Sequence, residues 1–342
     1  VKKDPVNLIC AANAAYNMPL CVMLSSVVDN FDPERELAIH IISNDSTEKC
    51  RENVRESLRM VRANLTHVKI NWLAIDSAEL DKLPTQEGQA LTRDTFSRIF
   101  APSLLPDECE RAVYLDSDMV VLADISKLYD ETAESGCLIH AVHDMGCPWV
   151  SFPGGVFDYE DRGIPGDTPY FNGGVLVINL KLWRERNMTP PMVAYLGQHG
   201  YRVQFADQGA LNAFLHHDWK PLDFHWNQLP SILDVKNWLR AGYSRKEWRK
   251  ARLDPFVIHY LGPKKPWVSG WRFGPRRVFF FRYLQKTVHR GTVPRYPYLE
   301  ALMGVNAYYH LWSLGNKLFP QGIRLRQRPV VIKSPAIVSV LS

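Results

Sequence analysis

Ala112-Val113-Tyr114-Leu115-Asp116-Ser117-Asp118-Met119-Val120-Val121 sets two carboxylates, one residue apart, inside an otherwise apolar run. Its first four residues are too few for a helix and mostly apolar, so they read as a buried strand ending at Asp116. Burying acids among Val, Leu and Met is costly unless a cation or strong donors meet them. Carboxylates at i and i+2 just past a strand end can each give an oxygen to a hard divalent cation, and ligands of open α/β sheets collect at the carboxyl ends of strands. Aspartate also caps ordinary turns. The apolar frame is what favours a metal here.

The same alternation of short apolar runs and helix-spaced segments extends to both sides. Strands are expected at 6–12, 37–43, 68–75, 138–142 and 174–180, and helices at 18–28, 50–61, 95–105 and 207–215. Such alternation implies an α/β fold built on a Rossmann-like, doubly wound, mainly parallel sheet. Asn13-Ala14-Ala15 occupies the first strand-helix turn, where neither GxGxxG nor GxxxxGK[ST] is found. That disfavours a dinucleotide dehydrogenase and a P-loop NTPase, leaving phosphate to be met by side chains and a cation. The Gly-, Pro- and Asp-rich stretch 147–169 is expected to form a lid, and 219–271 to be irregular.

The 342 residues are 46% hydrophobic and 23% charged, a globular composition. Six cysteines without a close pair point to a reducing cytosol. The first five residues show no leader, and no apolar window reaches the roughly 18 residues of a spanning helix. A cytoplasmic protein, peripheral on the inner face of a membrane, is the expectation. The net charge of +5 is uneven: residues 271–342 hold 12 of the 41 Lys and Arg but one of the 36 acids, leaving the first 270 with 29 cations against 35 acids. Residues 1–271 are therefore taken as one domain and 272–342 as a basic, helical, aromatic extension. With Phe279, Phe280, Phe281, Tyr283, Tyr308, Tyr309 and Trp312 interleaved, the extension suits an anionic membrane surface, met through Arg272 to Arg295, or an acidic acceptor. Nucleic acid is not expected as a partner.

Further candidates stand along the chain. His259 follows the apolar run Phe256-Val257-Ile258, and a neutral imidazole can complete a cation's shell. Gly262 lets backbone approach a phosphate and Lys265 offers it a point charge, although a core histidine beside solvated lysines would look alike. Asn172, in Phe171-Asn172-Gly173-Gly174, offers an amide to ligand hydroxyls where small residues let a ligand approach the backbone; a tight turn would choose the same residues. Asp144 ends the apolar run 138–142. Asp207 and Gln208 open a helix, where Asp is also an ordinary cap. Arg98, in Thr95-Phe96-Ser97-Arg98, can offset charge on a leaving group or simply lie on a surface helix.

The ordered set YLDSDMVV (114–121), YFNGGVLVINL (170–180), ADQGALN (206–212) and HYLGPKKPW (259–267) resembles the family 8 retaining glycosyltransferases over about residues 6–271. These include bacterial lipopolysaccharide galactosyl- and glucosyltransferases, glycogenin-like proteins and plant galacturonosyltransferase relatives. The resemblance implies a GT-A type fold and a glucosyl or galactosyl donor, UDP-hexose, whose diphosphate is held by Mn²⁺ or Mg²⁺ on Asp116, Asp118 and His259. It places Ser117, Gly262 and Lys265 among the donor contacts, the last two on phosphate. It assigns Ala11, Ala12, Asn13 and Tyr16 to uridine, with Tyr16 stacking on uracil and Asn13 replacing the usual aspartate. Arg98, Asp144, Asn172, Gly173 and Asp207 would meet the donor sugar or diphosphate, and Gln208 lies on the face where a double-displacement nucleophile would be needed.

A carboxamide is a poor nucleophile, so same-face attack is expected, on behalf of a glycan or glycolipid acceptor. The competing role is a self-glycosylating primer or non-catalytic scaffold, which for priming needs an acceptor among tyrosines such as Tyr283, Tyr296, Tyr298, Tyr308 and Tyr309. A nucleotidyltransferase would need a Gly- and Lys-rich loop near the start, and none is present.

Overall fold

The computed structural model describes residues 4–84, 93–133, 135–200, 202–262, 265–267 and 276–291. Among them lie nine strands: β1 (Val6–Ala11), β2 (Leu37–Ile42), β3 (Val68–Leu73), β4 (Arg111–Leu115), β5 (Met119–Val121), β6 (Ile139–His143), β7 (Phe171–Asn179), β8 (Trp219–Pro221) and β9 (Val257–His259). Seven form one sheet in the order β3-β2-β1-β4-β7-β6-β8. All its pairings are parallel except those of β7, which runs against both β4 and β6. The mainly parallel, doubly wound α/β architecture is thus present.

Alternation along each strand sends neighbours to opposite faces, and both faces are covered by helices. Ile9 and Tyr114 join Ile99, Phe100, Leu180 and Leu211 in one core layer. Leu8, Cys10, Val113 and Leu115 join Leu20, Leu24, Val54 and Leu58 in the other. Central strands that bury both faces have no polar side to show, which is why they read as continuous apolar runs.

Two features place the site. β1 pairs with β2 on one side and β4 on the other, so a crevice opens where the chains leaving β1 and β4 diverge. The reversed β7 brings its own start to that same edge, and the Asp116 N–H donates to Gly174 O at 2.9 Å. Immediately beyond Asp118, β5 pairs antiparallel with β9, setting Met119 opposite His259.

Two expectations are corrected. Residues 147–169 do not make a free lid: Val150, Val156 and Ile164 are buried in the core, and Tyr195 of the helix Thr189–His199 donates to Asp158 Oδ1 at 2.8 Å. Secondly, Phe279, Phe280, Phe281 and Tyr283 do not face lipid. The helix Arg277–Leu284 buries them, with Val22, Val120 and Ile258, in a third apolar cluster. Arg276 and Arg277 are buried too, Arg276 donating to Arg252 O at 3.2 Å. The Tyr283 hydroxyl is buried as an acceptor from Asn30 at 2.8 Å, which removes it from the candidate sugar acceptors. Tyr296, Tyr298, Tyr308, Tyr309, Trp312, Arg272 and Arg295 lie outside the described residues. No helix among the described residues is long and apolar enough to cross a membrane.

One buried imidazole makes the sheet sensitive to acid. His40 Nε2 lies 3.3 Å from Asn7 Oδ1 on β1, and Asn71 Nδ2 on β3 lies 3.5 Å from its Nδ1. Burial pushes its pKa from 6.5 down to about 4. The unfolded chain therefore takes up this proton first, so the stabilisation is complete above pH about 6.5 and is lost as pH falls through about 4. Thermal melts between pH 7 and 4 are expected to show a smaller fall in Tm for His40→Gln than for the wild type; equal slopes would refute the assignment.

Candidate active site

Asp116 and Asp118 flank the turn between β4 and β5, and β9 carries His259 to them. His259 Nε2 lies 3.2 Å from Asp118 Oδ1 and 3.7 Å from Asp116 Oδ2. One ligand atom from each of the three lies within 4.8 Å of the others. His259 Nε2 is buried and makes no hydrogen bond, although it faces two carboxylates. Two hard oxygens and one imidazole nitrogen around an unsatisfied buried atom fit a divalent cation such as Mn²⁺ or Mg²⁺. Lys265 pairs with Asp118 Oδ2 and donates to Tyr260 O at 2.9 Å. Burial opposes ionisation of Asp118, but the neighbouring His259 and Lys265 outweigh it and hold its carboxyl below the usual range.

Arg98, from the helix Ser97–Leu104, links the parts. Its Nη2 donates to Asp116 Oδ1 at 3.0 Å, its Nη1 to Gly173 O, and its Nε pairs with Asp207 Oδ2 at 2.5 Å. Burial works against the guanidinium's charge, yet Asp116 and Asp207 raise its pKa above the ordinary value. Tyr114 donates its hydroxyl to Asp116 Oδ1 at 3.1 Å beneath the guanidinium. Asp207 opens the helix Asp207–Leu215 without acting as its cap: that position belongs to Ala206, in a left-handed backbone (φ 49°). Burial raises the Asp207 pKa to about 7, with Arg98 pulling it down and Asp116 pushing it up.

The donor-sugar candidates form one buried hydrogen-bond network. Asn172 Nδ2 donates to Asp144 Oδ2 at 3.1 Å and to Gln208 Oε1 at 3.0 Å. Gln208 Oε1 also accepts from Gly173 N at 2.9 Å, and Asn172 Oδ1 from Gly174 N at 3.0 Å. The glycines are required by space: a Cβ on Gly173 would sit 2.5 Å from Arg98 Nη1, and one on Gly174 2.5 Å from His259 Cε1.

At the other end, the Ser117 hydroxyl donates to Ala11 O at 2.5 Å, while Asn13 Oδ1 accepts from Tyr16 N at 3.0 Å as the cap of a short helical turn. Ala12 N donates to Ile42 O. The Tyr16 ring meets Trp267 edge-on at 6.0 Å, which joins residues 265–267 to the ring expected to stack on the base. Gly262 adopts φ 88°, a conformation open to glycine.

A family model described as "Glycosyl transferase family 8" matches residues 7–270. The chain belongs to this family. The family 8 chain is 27% identical over 294 residues to "General stress protein A" of Bacillus subtilis, spanning 84% of this chain and 96% of the relative. It is 24% identical over 262 residues to "Lipopolysaccharide 1,3-galactosyltransferase" of Salmonella typhimurium, spanning 73% and 69%. Of several streptococcal glycosyltransferases it spans only 32% to 57%. In fold it is similar to the crystal structure of the galactosyltransferase LgtC in complex with donor and acceptor sugar analogs, with a TM-score of 0.66 at 23% identity, covering 86% of this chain and 99% of that one.

The structure of this family 8 protein brings Arg98, Asp116, Asp118, Asp144, Asn172, Gly173, Asp207, Gln208, His259 and Lys265 into one constellation, with Ala11, Ser117 and Tyr16 at its edge. Sequence reasoning missed Tyr114 and Asn227. Asn227 is fully buried between His259 and Asn172, its Oδ1 3.1 Å from His259 Nδ1 and its Nδ2 donating to Asn172 Oδ1 at 2.8 Å. No spacing or motif marks it, since it sits among aromatics in Phe224-His225-Trp226-Asn227-Gln228.

Gly174→Ala drives a methyl group into His259 and Asp116, so Mn²⁺ affinity measured by calorimetry is expected to fall about tenfold or more. Thermal denaturation should show a loss of about 1–3 kcal/mol from overpacking. Unchanged Mn²⁺ binding in a folded variant would contradict the placement of His259.

Proposed function

We propose that this family 8 protein transfers a hexosyl group, glucosyl or galactosyl, from a UDP-sugar to a hydroxyl of a glycan or glycolipid, with retention of anomeric configuration and dependence on a divalent metal. The observation that carries this reading is the meeting of Asp116, Asp118 and His259 around one point, with the His259 Nε2 buried and unbonded. When bound there, the cation would neutralise the diphosphate of the donor and act as a Lewis acid toward its departure. The Salmonella relative, a lipopolysaccharide 1,3-galactosyltransferase, supports the acceptor class.

The remaining roles follow from the chain's own groups. Lys265 and the backbone at Gly262 would receive the phosphates, and Ala11, Ala12, Asn13 and Tyr16 the uridine. Asp144 and Asn172 offer a carboxylate and an amide to sugar hydroxyls. Arg98 keeps Asp116 and Asp207 in place while adding positive charge where the leaving diphosphate grows negative. Asp207 is engaged by Arg98, and Gln208 has its carbonyl oxygen occupied by two N–H donors. Neither is poised as a nucleophile, which supports same-face attack, the leaving phosphate oxygen taking the acceptor's proton.

Donor hydrolysis and transfer should be measured with UDP-glucose, UDP-galactose and UDP-galacturonate, with and without Mn²⁺. Turnover of a hexosyl donor is expected only with metal, and Asp118→Asn should reduce it by about a hundredfold or more. Full activity in a chelator would overturn the metal role. A hexosyl adduct on Asp207 or Gln208, sought by mass spectrometry, is expected to be absent, and finding one would replace same-face attack by double displacement. The same spectra test self-priming, which predicts a mass gain on incubation with UDP-hexose and Mn²⁺.

A further inference from the structure

We propose that Asn227 is a positioning residue: it fixes the neutral His259 ring with its hydrogen on Nδ1 and, through Asn172, ties that ring to Gln208. The proposal rests on the reading of His259 as a metal ligand, while the Nδ1 hydrogen that Asn227 accepts can be observed without a metal.

The polarity of the whole chain of amides follows from two backbone donors. A peptide N–H can only donate, so the Asn172 atom 3.0 Å from Gly174 N is its oxygen. Its nitrogen is then the atom facing Asp144 Oδ2 at 3.1 Å, and an ionised carboxylate only accepts. The Asn227 atom 2.8 Å from Asn172 Oδ1 must in turn be a donor, its Nδ2. That leaves Asn227 Oδ1 facing His259 Nδ1 at 3.1 Å, and an amide oxygen only accepts. A hydrogen of the imidazole therefore sits on Nδ1. Nε2 points between Asp118 Oδ1 at 3.2 Å and Asp116 Oδ2 at 3.7 Å, where a bound cation would take its lone pair. In the other direction, Gly173 N at 2.9 Å and Asn172 Nδ2 at 3.0 Å both require the facing Gln208 atom to be Oε1.

Asn227, Asn172 and His259 are all at most 2% exposed, so water cannot readily substitute for a lost partner. Reversing any one amide would set donor against donor or acceptor against acceptor at the next contact. Two adjacent N–H groups, those of Gly173 and Gly174, thus dictate both the lone pair offered to a cation and the direction of the Gln208 carboxamide. Outer partners of this kind orient a ligating imidazole and raise its basicity.

The full-length protein, labelled with ¹⁵N-histidine and free of metal, tests this by long-range ¹H–¹⁵N spectra at a pH where the ring is neutral, with His259→Gln identifying the resonances. The expected result is an unprotonated Nε2 and a protonated Nδ1. Asn227→Leu, similar in size but without the acceptor, should release the tautomer toward Nε2–H and weaken Mn²⁺ binding about 10- to 100-fold by calorimetry. Asn227→Asp keeps the acceptor while setting an oxygen against Asn172 Oδ1, and should hold the Nδ1–H tautomer at a cost in Tm. A merely structural role would lower Tm in both variants and leave the tautomer unmoved.

An Nε2–H tautomer in the wild type overturns the proposal even if Asn227→Leu fails to fold, and so does wild-type Mn²⁺ affinity in a folded Asn227→Leu. Absence of Mn²⁺ binding by wild type, with the tautomer as expected and shifted in the leucine variant, would instead remove the metal reading and leave the role of Asn227 standing.

Discussion

Three carboxylates, Asp116, Asp118 and Asp207, share one buried region, and the arrangement depends on the cations that make this tolerable. At an effective dielectric constant of about 20, two like charges 4 Å apart repel by about 4 kcal/mol, enough to expel or protonate one of them. Arg98 meets Asp116 and Asp207 together, and Lys265 meets Asp118. Since Arg98 also donates to Gly173 O, one planar fork joins the end of β4, the start of β7 and the start of the helix Asp207–Leu215. A lysine there would be a point charge on a flexible stem, unable to span three acceptors in fixed directions.

The strand order explains how groups so distant in sequence reach one place. Asp116 and Asn13 arrive on parallel strands that end at the same edge. Asn172 could not arrive that way, because a parallel β7 would begin at the opposite edge. Reversal of β7 solves this, and the contact between Asp116 N and Gly174 O is its direct product. Close approach then leaves no room for side chains at 173 and 174, so the Asn-Gly-Gly sequence follows from packing as much as from turn formation.

Much of this was legible beforehand. β1, β2 and β4 bury apolar runs bounded by turns, and Asp116 and His259 each follow an apolar run, so the chemistry of Asp116, Asp118 and His259 stood out against an apolar background. The direction of β7 was not legible, because a strand buried on both faces has the same composition either way. Asn227 was hidden for another reason: its partners are Asn172 and His259, far away along the chain, and nothing local distinguishes it from any polar residue beside a tryptophan. Residues 277–284 misled because Phe279-Phe280-Phe281 set between Arg277 and Arg282 resembles an interfacial helix; a site on the domain that buries Arg277 together with the phenylalanines cannot be inferred from composition. Residues 147–169 misled through their glycines and prolines, which shape turns without revealing that Val150, Val156 and Ile164 are sunk in the core.

The aromatic contacts made by that last helix reach further than its own packing. Phe280 lies against Trp267 with ring centroids 5.0 Å apart, and Trp267 meets Tyr16 at 6.0 Å. The three rings form a buttress running from the helix Arg277–Leu284 to Tyr16, the residue proposed above to receive the base. A change at Phe280 can therefore tilt the Tyr16 ring, so under that proposal selection for nucleotide preference can act on a segment beyond the 7–270 stretch matched by the family model.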